Sequence, residues 1–187
     1  LKNYDTQVAD EIAKLTGDES KEAISVARET QWKNKAISEI YEPGSVFKVI
    51  TSAAAIEEKL INLETGDNFI CNGAQEVAGA THPIKCHKTS GHGSQDFFIA
   101  ITNSCNPAFI QIGQRLGIEK FCYYFEAFGL TEKTGIDLPG EADSLYVPLS
   151  DMGIVELSSS AFGQTNKVTP IQMATAVCAA VNGGKLL

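Results

Sequence analysis

The stretch Tyr41-Glu42-Pro43-Gly44-Ser45-Val46-Phe47-Lys48 decides how the chain is read. Pro43-Gly44 interrupts any helix arriving from the N-terminal side. From Ser45 to Leu60 there is no Gly or Pro, and Val46, Phe47, Val49, Ile50, Ala53, Ala54, Ile56 and Leu60 are apolar. That pattern predicts a helix, apolar around much of its girth and therefore buried. Ser45 falls in its first turn. Lys48 follows three residues later on the same face, with its side chain leaning back toward the N-terminus.

A serine hydroxyl is a poor nucleophile until a base takes its proton. A lysine in apolar surroundings loses affinity for its own proton and can serve as that base. The helix start adds unpaired N–H groups and the positive end of the dipole, which favour negative charge nearby. Ser45 and Lys48 therefore form a candidate Ser-Lys acyl-transfer pair. The competing reading is a serine cap followed by a solvent-facing lysine, since S-x-x-K is short enough to occur by accident.

The 187 residues are 43% apolar, with a net charge of −8 and a pI near 4.9. Such a chain can bury a sizeable core. Its acidity argues against nucleic acid or an anionic membrane surface as partner. No apolar run reaches membrane-spanning length and no signal peptide is visible. Five cysteines are too few for a disulfide-built mini-domain, and an odd number leaves one unpaired if all partners are internal.

Val8, Ile12 and Leu15 are spaced for an amphipathic helix, and a second short helix is expected over Lys21–Glu29. Trp32 is expected to anchor the core or its rim. After the central helix, Gly66, Gly73, Gly79, Gly91 and Gly93 punctuate β-like pieces at Asn68–Cys71 and Pro83–His87, suggesting a hairpin or irregular excursion. Cys71 and Cys86 bound it, with His82, His87 and His92 in or beside it. These cysteines are readable as a disulfide, as adjacent thiols or as unrelated residues. A metal site is not expected, because the usual C-x-x-C doublet of a tetrahedral zinc centre is absent.

Ser94 is expected to cap a helix carrying Phe97, Phe98 and Ile101 inward. Pro107 should open the next helix and Gly117 end it. A third, over Glu119–Phe128, holds Phe121, Tyr123, Tyr124, Phe125 and Phe128, an aromatic cluster read as core. Residues 129–153 are loop-rich and residues 154–163 suit a short helix. Thr169-Pro170 supplies an N-cap and first position for a helix to Val181, stopped by Gly183. The sum is about seven helices and very little strand.

Ser104-Cys105-Asn106 reads S-x-N at a corner between helices, where a short loop can point side chains into a cleft. With Ser45-x-x-Lys48 it completes two of the three motifs of penicillin-binding proteins and serine β-lactamases. The string YEPGSVFKVIT resembles the active-site stretch of class B penicillin-binding proteins of division and sporulation type. So do Gln31–Ala36, the string NSCNPAFIQIGQRLG, Thr134–Glu141, and Thr169–Gln172 with Asn182-Gly183-Gly184. The likeness runs from about residue 31 to the end.

That resemblance implies a peptidoglycan D,D-transpeptidase in which Ser45 attacks the D-Ala-D-Ala end of a stem peptide and Lys48 is the base. Ser104 would relay protons to and from the amines, and Asn106 would bind the substrate amide and help fix Lys48. The Ser45 N–H would form half of an oxyanion hole. β-Lactams would acylate the same serine. No cofactor is implied. The partners implied are stem peptides, β-lactams and other cell-wall synthesis proteins, with the parent anchored on the extracytoplasmic face of the membrane.

The fold implied is the α/β serine transpeptidase fold. This chain is expected to be mainly α, holding the helical part around the Ser45 helix with most of the central sheet absent. Residues 1–187 would be a partial transpeptidase domain, without the membrane anchor or the C-terminal K-T-G strand, and weakly active or inactive by itself. Lys133-Thr134-Gly135 spells K-T-G, but Leu138-Pro139-Gly140 follows too closely for a paired central strand. It is therefore read as a decoy. Two other functions are compatible with the motifs: a serine β-lactamase, for which no deacylating carboxylate motif is evident, and a non-catalytic β-lactam sensor or interaction module.

Overall fold

A computed structural model describes residue 14, residues 17–30 and residues 32–186. The helix expected from Val8, Ile12 and Leu15 lies outside the described residues. Helix α1 (Gly17–Thr30) is longer than the pattern suggested, and a four-residue α2 (Lys35–Ser38) follows, capped by Asn34. The chain then enters a 3₁₀ turn, Gly44–Phe47, which passes directly into α3 (Lys48–Glu57). Trp32 is 77% exposed, so it anchors nothing within the described core.

The Gly-punctuated excursion forms four short strands: β1 (Phe69–Cys71), β2 (Ala74–Gln75), β3 (Ile84–Lys85) and β4 (Gly93–Gln95). β1 pairs antiparallel with β4, bringing Cys71 opposite Gly93, and β2 pairs antiparallel with β3. The two β-like pieces read from the sequence are real, but they pair with Gly93–Gln95 and Ala74–Gln75 rather than with each other. Two backbones cross here at very short range. A Cβ on Gly73 would lie 1.9 Å from the Thr89 carbonyl oxygen, and one on Gly91 would lie 2.4 Å from that of Cys71. Only glycine permits the crossing.

Four helices follow: α4 (Phe97–Thr102), α5 (Asn106–Leu116), α6 (Ile118–Ala127) and α7 (Ile154–Ser160); α8 (Pro170–Val181) completes the set. Asp96, not Ser94, caps α4, accepting from the Ile99 N–H at 2.8 Å, while Ser94 bonds to Asn68. Thr169 caps α8 in a reciprocal box with Gln172, with Pro170 at the first helical position.

The core has two lobes. In one, Phe69, Phe97, Ile110, Ile112 and Phe162 pack with Cys71, Cys86 and Cys105. In the other, Phe47, Ile50, Phe121, Phe125, Leu157 and Met173 meet between α3, α6, α7 and α8. Helix α5 serves both lobes and touches α3, α6, α7 and the strands. It lies so close to the end of α7 that a Cβ on Gly113 would sit 2.5 Å from that of Ala161.

The mainly helical architecture is as the sequence suggested. Burial is less complete. Phe47, Ile50 and Ala54 are inside, but Val46, Val49 and Ile56 form an exposed stripe on the same helix. Of the three α4 residues expected inside, Phe97 is buried while Phe98 and Ile101 are exposed, and on α6 Tyr123 faces solvent. Among the described residues, no helix is long and apolar enough to cross a membrane.

Candidate active site

The 3₁₀ turn is what aligns Ser45 with Lys48. Three residues per turn eclipses side chains at i and i+3, where an α-helix would leave them about 60° apart. Gly44 (φ +57) allows the turn to begin directly after Pro43. Its N–H donates to the Gly163 carbonyl at 2.8 Å, and Gly163 (φ +88) lies so close that a Cβ there would be 2.0 Å from the Gly44 oxygen. Tyr41 forms an antiparallel bridge with Val168, and the Glu42 carboxylate accepts from the Thr165 N–H at 3.0 Å. These contacts with residues 163–168 fix where Ser45 sits.

Ser104 occupies the corner between α4 and α5 with φ +47, an uncommon conformation for a residue other than glycine. The twist turns both its carbonyl and its hydroxyl toward α3. Lys48 Nζ donates to the Ser104 carbonyl at 2.6 Å and to Asn106 Oδ1 at 2.8 Å. It also lies 2.9 Å from Ser104 Oγ and 3.2 Å from Ser45 Oγ. The Ser104 hydroxyl donates to Ser45 Oγ at 2.9 Å, closing the constellation. All four side chains singled out in the sequence are thus brought together.

Lys48 is only 5% exposed, and its amine lies 5.3 Å from the centre of the Phe109 ring. Burial lowers its pKa from the ordinary lysine value to about 8, against a smaller upward pull from Cys105 and Cys86. Ser45 is exposed, at the rim of a groove of about 810 Å³ also bordered by Val49, Ile56, Ile101 and Phe128. Among the described residues, no carboxylate hydrogen-bonds to Ser45 or Lys48.

Lys133-Thr134-Gly135 lies in an irregular loop, not a strand. Lys133 is exposed and pairs with Asp143 at 3.3 Å. Glu141 closes the loop by accepting from the Thr134 N–H and hydroxyl, both at 2.7 Å, and from the Gly135 N–H at 3.2 Å. Those bonds, rather than a sheet, account for the motif.

Beside the site lies a cluster that sequence reasoning missed. Cys71, Cys86, His92 and Cys105 each offer a ligand atom, all within 4.8 Å of one another. Cys71 and Cys86 do come together, yet all five cysteines are free thiols. The sequence expectation of no metal site rested on the missing C-x-x-C doublet. The fold needs no doublet, because β1, the residue after β3, the residue before β4 and the α4–α5 corner each deliver one donor. The available signal was the pair of glycines, Gly73 and Gly91, that forces the crossing. Burial raises the Cys105 thiol to about 12. Cys71 is held below its ordinary value: burial raises it, but the amides of Gly73 and His92 and the neighbouring Cys105 and Cys86 thiols outweigh that.

The sequence profile of the penicillin-binding protein transpeptidase domain matches residues 6–187. Over 154 residues the chain is 49% identical to Stage V sporulation protein D of Bacillus subtilis, covering 82% of this chain and 23% of that protein. It is 28% identical over 160 residues to the peptidoglycan D,D-transpeptidase MrdA of Acinetobacter baumannii, covering 81% and 24%. The chain thus spans about a quarter of the length of these relatives. Among solved structures, Pseudomonas aeruginosa PBP2 has the same fold, with a TM-score of 0.73 at 23% identity over 85% of this chain and 39% of that one.

Proposed function

The chain belongs to the penicillin-binding protein transpeptidase domain family, and from that premise we propose that the protein carrying it is a serine-type peptidoglycan D,D-transpeptidase. The observation that carries this reading is the hydrogen-bond arithmetic at Lys48. Two of its contacts, the Ser104 carbonyl and Asn106 Oδ1, can only accept. A neutral amine has two N–H bonds and one lone pair. With both N–H bonds directed to those acceptors and the Ser104 hydroxyl donating to Ser45, the lone pair is left to accept the Ser45 hydroxyl proton at 3.2 Å. Burial favours that neutral form.

In acylation the Ser45 oxygen attacks the carbonyl carbon between the two terminal D-alanines while its proton passes to Lys48 Nζ. The carbonyl π electrons move onto oxygen, where the Ser45 backbone N–H supplies one stabilising donor. As the intermediate collapses, the C–N bond breaks, and the leaving amine takes a proton from Lys48 through the Ser104 hydroxyl. An ester on Ser45 and free D-alanine remain. An amine from a second stem peptide then attacks the ester and returns its proton along the same path. Asn106 holds Lys48 and has an amide able to bind the substrate backbone.

A β-lactam presents a strained amide to the same serine, and among the described residues no carboxylate hydrogen-bonds to Ser45 or Lys48 to activate a water for rapid release. The division and sporulation setting, the peptidoglycan substrate and an extracytoplasmic, membrane-anchored parent follow as parts of this proposal from the relatives' roles. Intact mass spectrometry after penicillin treatment, with peptide mapping, tests it. The expected result is one adduct on Ser45 that is lost in Ser45→Ala. An adduct on Ser104, or one surviving Ser45→Ala, overturns the assignment.

A further inference from the structure

Cys71, Cys86 and Cys105 lie in one lobe of the core with the half-buried His92 beside them, and the acyl-transfer chemistry uses none of the four. We propose that these four side chains bind a structural zinc ion that clamps the strand excursion to the Ser104–Asn106 corner. The inference stands on the donor set, its spacing, its supports and one orphaned amide.

Three sulfurs and an imidazole form a complete tetrahedral set of the kind that structural zinc takes, with no position left for water. Zn–S near 2.3 Å and Zn–N near 2.0 Å place the ligand atoms of such a site about 3.5–3.8 Å apart. Here Cys86 Sγ and His92 Nδ1 are 3.7 Å apart, and all four donors fall within 4.8 Å. Closure of the widest donor pair by about an ångström around an ion completes the tetrahedron. A disulfide would use two of the three thiols and leave the third, with the imidazole, unexplained.

The supports are rigid. The His92 N–H donates to the Cys71 carbonyl at 3.0 Å and the Cys86 N–H to that of Gly73 at 2.9 Å. Gly73 and Gly91 lock the crossing between them. Cys105 is fixed by its place at the start of α5 and by its N–H bond to Ala100. The donors are therefore held in place before any ion arrives, as a tight site requires.

The orphan is Gln95. It is 3% exposed, and its Oε1 accepts from Asn103 at 3.1 Å, yet its Nε2 is buried with no partner. That amide lies against Cys105. A neutral thiol is a weak acceptor, whereas a zinc-bound thiolate is a strong one, and outer-shell donors to ligating groups are a regular part of metal sites. An ion on Cys105 turns that weak contact into a strong acceptor for the buried Gln95 N–H. The loss of thiol protons on binding also removes three acidic hydrogens from a packed core.

The consequence is positional. Cys105 stands between Ser104 and Asn106, so an ion that ties it to three strand-borne donors also fixes the corner from which both hydroxyl and amide reach Lys48. The test is made on the full protein purified without chelator, with metal content measured by mass spectrometry and the zinc replaced by cobalt. About one zinc per chain is expected, with the absorption bands of tetrahedral thiolate-bound cobalt after exchange. Cys71→Ser and His92→Ala should each lower metal affinity at least about tenfold. Cys122→Ser and Cys178→Ser, outside the cluster, should keep the full content. Because a cluster variant can fail to fold, the cobalt spectrum of the unaltered protein decides by itself. An octahedral spectrum, less than about a tenth of a zinc per chain after reconstitution, or a disulfide among Cys71, Cys86 and Cys105 in the purified protein overturns the proposal. None of these readouts depends on penicillin acylation.

Discussion

Lys48 Nζ donates to Asn106 Oδ1 at 2.8 Å, joining two helix starts 58 positions apart in the chain. The contact is neutral on the asparagine side, so it orders the amine without charging it. A carboxylate at the same place would stabilise the ammonium form. Acylation by a β-lactam should therefore rise with pH as Lys48 loses its proton near 8 and then level off. Asn106→Asp should move that rise upward by about 1–3 units, the usual effect of an adjacent opposite charge. Stopped-flow acylation across pH 6–10 reads both profiles, and an Asn106→Asp profile shifted downward would contradict the neutral-base reading.

The same depressed pKa carries a stability consequence with a definite sign. Between about 8 and the ordinary lysine value of 10.5, the unfolded chain holds a proton on Lys48 that the folded chain has given up. Stability from this group should rise with pH through that window and be lowest below it. Urea midpoints for the protein and for Lys48→Met, compared at pH 7 and pH 10, isolate the contribution. The difference between the two proteins should shift in the variant's favour at the lower pH.

Lys133→Ala should leave the acylation rate within a few-fold of the unaltered protein. Its ammonium pairs with exposed Asp143 and takes no part in the Ser45 constellation. Lys48→Ala should instead lower the rate by roughly 10²–10⁴, the range typical for loss of a general base. Equal damage from the two substitutions would show that the loop K-T-G contributes to catalysis.

Gly163→Ala tests how the Ser45 turn is held. The alanine meets two obstacles: a φ of +88 and a Gly44 oxygen 2.0 Å from its Cβ. The left-handed conformation alone costs about 1–2 kcal/mol, and the clash adds to it. Because the obstructing atom belongs to the turn before Ser45, the displacement should reach the nucleophile. Acylation should then fall even at temperatures where circular dichroism shows a folded protein.

The helices were legible because their signals are local. Thr169-Pro170, Pro107 and Gly117 are caps and stops that act over one turn, and the structure uses all three. S-x-x-K and S-x-N were legible because each is a short, fixed spacing, and the structure brings their side chains together. What stayed hidden was non-local. The pairing of Phe69–Cys71 with Gly93–Gln95 depends on a backbone crossing, and the four-donor cluster exists only once that crossing is made. Likewise, apolar periodicity marks Val46, Val49 and Ile56 as sticky without saying whether anything covers them. The apolar pattern also predicts an α-helical start at Ser45, whereas Pro43 and Gly44, held by Gly163, tighten it to 3₁₀.

Ser104 offers a separation of stability from chemistry, because its backbone and its hydroxyl do different work. Its φ of +47 is tolerated with the carbonyl held by Lys48 at 2.6 Å and the N–H by Ile101 at 2.8 Å. Ser104→Gly relieves the conformational cost, while Ser104→Ala retains it; both remove the hydroxyl that bridges Lys48 and Ser45. The glycine variant should therefore be more stable than the alanine variant by about 1 kcal/mol. Both should lose transpeptidation together, since the proton then has no hydroxyl bridge from Lys48 to the leaving amine. Denaturant midpoints paired with D-alanine release from a stem peptide give the two readouts. A glycine variant that regained activity along with stability would place the role of Ser104 in its backbone rather than its hydroxyl.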